Sequence, residues 1–123
     1  SRRILIADGD LETIQLIEMT LKTESYEVIS VFDGASVLKK AQEKKPDLIL
    51  LDVMMPGMSG FEVLRQLKAK ETTKNIPVIM ITVAAAKHEG DEGIKLGAAY
   101  YLSKPYDAQE LLNRIKSVIG PNA

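Results

Sequence analysis

The sequence predicts an α/β fold: a doubly wound, five-stranded parallel sheet made of five βα units, (βα)5, with helices on both faces in a three-layer α/β/α arrangement. Short β-rich apolar runs alternate with longer segments of helical period, the pattern of strands joined by helical crossovers. The three middle runs are continuous in apolar residues rather than alternating, as for strands covered on both faces. A chain of 123 residues, 46% of them hydrophobic, suffices for one core and leaves no room for a second catalytic domain. Positions 1–123 therefore read as a single domain.

Taken in order, strands are expected over Ile4–Ala7, Glu27–Val31, Leu48–Leu51, Val78–Ile81 and Tyr100–Leu102. Leu11, Ile14, Ile17 and Leu21 recur at three- and four-residue steps and give the first helix one apolar stripe. Phe61, Leu64 and Leu67 do the same for the third, with Ser59 placed as its N-cap. Leu111, Leu112, Ile115, Val118 and Ile119 mark the last. Pro46 and Pro77 stand before strands, where a preceding helix must already have stopped. The segment from Ala84 to Leu96 is the weakest helix, because Gly90 and Gly93 each cost about 1 kcal/mol against Ala; it is expected to be the most mobile element.

In such sheets ligands sit beyond the carboxyl ends of the strands, where the strand order reverses. The residues that end the strands are polar: Asp8-Gly9-Asp10 after the first, Asp52 after the third, Thr82 after the fourth and Ser103-Lys104-Pro105 after the fifth. Carboxylates gathered at one edge repel unless a hard cation neutralises them. An all-oxygen set with open positions suits Mg²⁺, which keeps waters and takes phosphate oxygens. A carboxylate facing that cation can attack phosphorus and form an acyl phosphate, with Lys104 and the Thr82 hydroxyl meeting the phosphoryl oxygens. Each residue also has an ordinary structural role open to it. Asp52 can be a turn residue, Asp8 and Asp10 an N-cap and its neighbour, Thr82 a strand residue and Lys104 a surface lysine. It is their conjunction at successive strand ends that favours chemistry.

Three segments carry a family resemblance: PDLILLDVMMPGMSGFE at 46–62, GAAYYLSKPY at 97–106 and RILIAD at 3–8. Together they resemble the receiver domain of bacterial response regulators of two-component (phosphorelay) signalling, chemotaxis regulators included, over essentially the whole chain. The resemblance implies a flavodoxin-like fold with Asp52 as phosphoacceptor. It further implies Lys104 on the phosphoryl group, Thr82 and Tyr101 as coupled switch residues, and Mg²⁺ held by Asp8, Asp52 and the backbone carbonyl of Met54. A cis peptide is implied at Lys104-Pro105. The donor would be a phosphohistidine on a sensor histidine kinase or His-phosphotransfer protein, and the domain would catalyse only its own phosphoryl transfer and dephosphorylation.

The chain departs from that family where a second acid usually follows Asp8, since Gly9 stands there. Asp10 is a possible substitute ligand, one residue further along, and Mg²⁺ is expected to bind more weakly than with both acids. The alternative reading is a pseudo-receiver, an interaction module that signals without phosphate. Val83 stands where a small residue is common, and neither Met54 nor Ala84 can orient an attacking water, so slow loss of a phosphoryl group is expected. Ala99 and Tyr100 replace residues often acidic in dimerising members, while Glu110 and Arg114 fit their pattern; a monomer or weak dimer is expected. His88, the only histidine, reads as a solvated surface residue.

Other classes are disfavoured. Sixteen basic and 17 acidic residues leave a net charge of −1 without a basic patch, so no direct nucleic-acid role is expected. Cysteine is absent, which removes thiol chemistry and disulfides, and no apolar run reaches membrane-spanning length; a cytoplasmic location is the expectation. A haloacid-type hydrolase needs an acid two residues after its nucleophile, where Met54 stands. A flavin carrier would want aromatic, hydroxyl-rich loops that are missing.

Overall fold

The computed structural model describes residues 2–82 and 94–121. In chain order these form β1 (Arg3–Ala7), α1 (Leu11–Lys22), β2 (Glu27–Val31), α2 (Gly34–Lys44), β3 (Leu48–Asp52), α3 (Gly60–Ala69), β4 (Val78–Thr82), β5 (Tyr100–Ser103) and α4 (Ala108–Ile119). The five strands make one sheet in the order β2-β1-β3-β4-β5, parallel throughout. The doubly wound parallel sheet is therefore as predicted. The helix expected over 84–96 lies, up to residue 93, outside the described residues, as do Val83, Ala84 and His88.

Period-two alternation sorts the strand side chains onto two faces. Ile4, Ile6, Leu48, Leu50, Ile79 and Ile81 point to the side covered by α1 and α4, where they meet Ile14, Ile17, Leu21, Leu111 and Ile115. Leu5, Ala7, Ile49, Leu51, Val78 and Met80 point to the other, against Val37, Ala41, Val63, Leu64 and Leu67 of α2 and α3. Every residue of β3 and β4 is buried. The expectation that β2 is likewise covered on both faces is corrected: β2 is an edge strand, with Glu27 exposed and its next three residues half-buried. Its polar Glu27 and Ser30 mark that edge, and Ser30 donates to the Glu18 carboxylate of α1 at 2.7 Å.

Four helices begin on side-chain caps. Asp10, Asp33, Ser59 and Asp107 each accept a backbone N–H from the first turn of α1, α2, α3 and α4. Gly60 opens α3 because nothing larger fits. A Cβ there would lie 2.3 Å from the carbonyl oxygen of Asp52 and 2.8 Å from the Cα of Val53. Bare backbone lets the Gly60 N–H donate to the Val53 carbonyl at 2.8 Å, folding the loop after β3 back onto the strand end.

Candidate functional site

The chain leaves β1 toward β2 on one side and β3 on the other, so the order reverses at β1 and a crevice opens beyond the ends of β1 and β3. Asp8 and Asp52 stand there, only 3% and 8% exposed. Asp52 is the last residue of β3, paired with Ile81, and Thr82 the last of β4, paired with Ser103. Lys104 follows β5; its backbone N–H donates to the Thr82 carbonyl at 2.6 Å, and its peptide to Pro105 is cis. The Lys104 Nζ reaches across the sheet end to donate to Asp8 Oδ2 at 3.2 Å, joining residues 96 positions apart.

Two buried carboxylates thus share one ammonium. Asp8 is well supplied: Oδ1 accepts the Asp10 N–H at 2.9 Å and Oδ2 takes Lys104. Asp52 has the Met54 N–H on Oδ1 at 3.3 Å. Burial pushes the Asp52 carboxyl up to about 6, and the Asp8 charge adds to the rise; Lys104 and the N–H groups of Met54 and Val53 only partly offset it. A cleft of about 820 Å³ opens over these groups, lined also by Gly9, Thr13 and Met54, the last 70% exposed.

Thr82 is 3% exposed and does not line this cleft. Tyr101 is half-buried against the cluster beneath α2 and α3. Asp10 lines the cleft as well and is bonded to the first turn of α1. Its carboxylate caps α1, accepting the Glu12 N–H at 3.3 Å and the Thr13 hydroxyl at 2.7 Å, and these bonds hold its carboxyl below the usual range, the Thr13 bond foremost. Asp10 thus fills the capping role open to it while also lining the cleft, beside the two buried acids Asp8 and Asp52. Among the described residues no three carboxylate, imidazole or thiol side chains come together as a metal cluster.

The donor set nevertheless fits a hard divalent cation. Mg²⁺ is bound by one or two carboxylates with waters and phosphate oxygens completing the shell. Among the described residues, two buried acids against one lysine leave an excess negative charge for such an ion to offset. At Gly9 a Cβ would come within 3.0 Å of Pro56 Cδ, so an acid there would press on the loop that carries Met54.

A family model for the response regulator receiver domain matches residues 4–116. The chain belongs to the response regulator receiver family. The receiver is 43% identical over 118 residues to the response regulator PleD of Caulobacter vibrioides, covering 96% of this chain and 26% of PleD. It is 35% identical over 119 residues to the alkaline phosphatase synthesis regulator PhoP of Bacillus subtilis, covering 97% and 49%. The chain thus spans a quarter to a half of the length of these curated relatives. Among solved structures it superposes on the Vibrio cholerae chemotaxis protein CheY4 with a TM-score of 0.90 at 32% identity, covering 95% and 98% of the two chains. The receiver domain of a Pseudomonas aeruginosa sensor histidine kinase, with a magnesium ion coordinated in its active-site cleft, gives a TM-score of 0.90 at 28% identity and 98% coverage of both. These likenesses establish the flavodoxin-like, chemotaxis-regulator-like fold and a signalling role in two-component systems.

Two residues near the receiver's cleft escaped the sequence reading. Thr13 binds Asp10 and lines the cleft; its only signal was its place three residues after a capping acid. Tyr106 follows the cis peptide, half-buried against the α1/α4 cluster. Its phenol is pushed up to about 12, by burial first and then by the charges of Asp8 and Asp52. On α4 the Arg114 guanidinium lies 4.2 Å from the centre of the Tyr100 ring, a cation–π contact within its own chain. Among the described residues no helix is long and apolar enough to cross a membrane.

Proposed function

We propose that this receiver is a phosphorylatable switch in which Asp52 accepts a phosphoryl group from a phosphohistidine on a sensor histidine kinase or His-phosphotransfer protein. What supports this most is the Lys104 ammonium, drawn across the sheet end onto Asp8 and leaving Asp52 to the Met54 N–H. Mg²⁺ would be held by Asp8, Asp52 and the Met54 carbonyl, where it would offset charge on the incoming phosphate. Asp52 is the nucleophile, and its carboxylate predominates at pH 7 because its pKa lies near 6. Lys104, already inside the cleft, has donors to turn from Asp8 to the phosphoryl oxygens. The Thr82 hydroxyl moves to the phosphoryl group and Tyr101 turns further into its half-buried site, so phosphorylation shifts a population between two arrangements of the β4–β5 side.

The domain acts on no substrate beyond its own phosphoryl group, and it works in the cytoplasm as a monomer or weak dimer. Arg114 stacking on Tyr100 occupies a side chain that dimerising relatives would use between subunits. One observation favours the pseudo-receiver instead: the Asp10 carboxylate, the acid that follows Gly9, is engaged by the Glu12 N–H and the Thr13 hydroxyl. Incubation with acetyl phosphate and Mg²⁺ followed by intact mass decides. One added phosphoryl group that Asp52→Asn abolishes supports the switch; no added mass at saturating Mg²⁺ establishes the pseudo-receiver.

A further inference from the structure

Beside the acidic cleft lies a second one of about 380 Å³, between α1 and α4, with a mostly apolar lining that includes Leu16, Ile17, Pro105, Tyr106 and Leu111. Its volume falls within the range of small-molecule sites, roughly 300–1,000 Å³. Thr13 and Lys104 line both clefts, so the two are contiguous, and the residue at their junction carries the ammonium that binds Asp8. One end of the combined cleft is therefore charged and oxygen-rich, and the other is apolar. Tyr106 lines the apolar end, with a phenol that stays protonated through the physiological range.

We infer that the α1/α4 groove is a leaving-group subsite: it receives the apolar acyl part of an acyl phosphate whose phosphoryl group lies at Asp52. This rests on Asp52 being the phosphoacceptor and adds the class of small-molecule donor the site prefers. In the transfer an Asp52 carboxylate oxygen forms a bond to phosphorus while the bond from phosphorus to the acyl oxygen breaks. The carboxylate leaves with that electron pair, and no proton has to move. Lys104 stands where the phosphoryl group and the departing carboxylate separate, and the apolar body of the leaving group rests on the exposed Leu16 and Pro105, with the buried Ile17 and Leu111 at the floor of the groove. A donor with a methyl group alone leaves this surface wet, whereas an aromatic ring covers it.

Two measurements test this. Rate constants for labelling Asp52 by benzoyl phosphate and by acetyl phosphate are compared, by intact mass, in the wild-type protein and in Ala108→Leu, which fills the groove from α4. The benzoyl-to-acetyl ratio is expected to fall at least fivefold in the variant, a comparison in which the donors' own reactivities cancel. Separately, phenyl phosphate with Mg²⁺ is titrated into the wild-type protein and is expected to shift the methyl NMR signals of Ile17 and Leu111. An unchanged ratio, or methyl signals that stay in place, overturns the groove assignment while labelling of Asp52 leaves the phosphoacceptor reading standing. Failure of both donors to label Asp52 overturns that reading, and the subsite with it.

Discussion

At the amino end of the sheet Glu24, Glu27 and Asp47 are all partnered. The Arg3 guanidinium donates to Glu27 and to the Lys44 carbonyl, the Arg3 N–H donates to Asp47 at 2.8 Å, and Lys116 pairs with Glu24 at 2.8 Å. At the carboxyl end, on the same strands, Asp8 and Asp52 are buried, and among the described residues one lysine, paired with Asp8, serves them. The first arrangement lies near the surface, where ion pairs cost little and contribute little. The second holds charge in a low-dielectric crevice against its own preference. The difference teaches where this domain gives up stability: at the edge that has to bind something. Neutralising an acid at the carboxyl end should therefore raise stability, whereas neutralising a paired surface acid at the amino end should change it little or lower it.

The largest effect is expected at Gly60, where bulk would push the strand end itself. Gly60→Val places side-chain atoms onto the Asp52 carbonyl and should cost about 3 kcal/mol, read as a lower urea midpoint at unchanged slope. A cost under about 0.5 kcal/mol would show that the loop after β3 yields freely. Next comes Lys104→Met, which keeps the stem and removes the ammonium that binds Asp8. About 2 kcal/mol of destabilisation is expected at pH 7 in EDTA, shrinking near pH 5 as Asp52 takes up a proton. If the loss is the same at both pH values, lost packing rather than unpaired charge is its cause.

Asp52→Asn should act in the other direction. The unfolded carboxyl titrates near 3.8 and the folded one near 6, so between these values the folded state binds more protons. Stability of the metal-free protein therefore falls as pH rises from about 4 to 6, and the cost is complete above 6. Allowing for solvent screening in an open cleft, Asp52→Asn should gain about 1–2 kcal/mol at pH 7 and flatten that part of the stability profile. A variant less stable than wild type at pH 7 in EDTA would remove the contrast between the two ends.

What the sequence makes legible follows the same division. β1, β3 and β4 announce themselves because burial on both faces demands unbroken apolar runs, and the sheet they form dictates which residues end up at its carboxyl edge. β2 misled because Val28, Ile29 and Val31 look like a central strand, while half-burial at an edge is a property of its neighbours. Asp52, Asp8 and Lys104 were readable from strand ends and spacing. Asp10 was readable only as an alternative, because a carboxylate after a strand serves a helix cap and a metal equally well; the Thr13 hydroxyl and the Glu12 N–H, both bonded to it, show the cap. Tyr106 drew no notice because, besides the neighbouring α4, its environment is assembled from α1, Asp8 and Asp52, which are distant from it in sequence.

The smallest expected effect lies near the amino end and sharpens the comparison by its exception. Tyr26 is 4% exposed, and its hydroxyl is buried with no hydrogen-bond partner among the described residues. Burial raises its phenol above the ordinary range, so ionisation is even less favourable there than the neutral unpaired group. The ring packs with Ile17, Leu21 and Ile115 in the α1/α4 cluster, and Phe keeps that ring while deleting the stranded oxygen. Tyr26→Phe should therefore stabilise by up to about 1 kcal/mol, seen as a rise of a few degrees in Tm. The gain should be independent of pH from 5 to 8, unlike that of Asp52→Asn, because the Tyr26 phenol stays neutral over that range. A loss of stability instead would mean that the hydroxyl is satisfied in solution, and that the amino end carries no unpaired polar group at Tyr26.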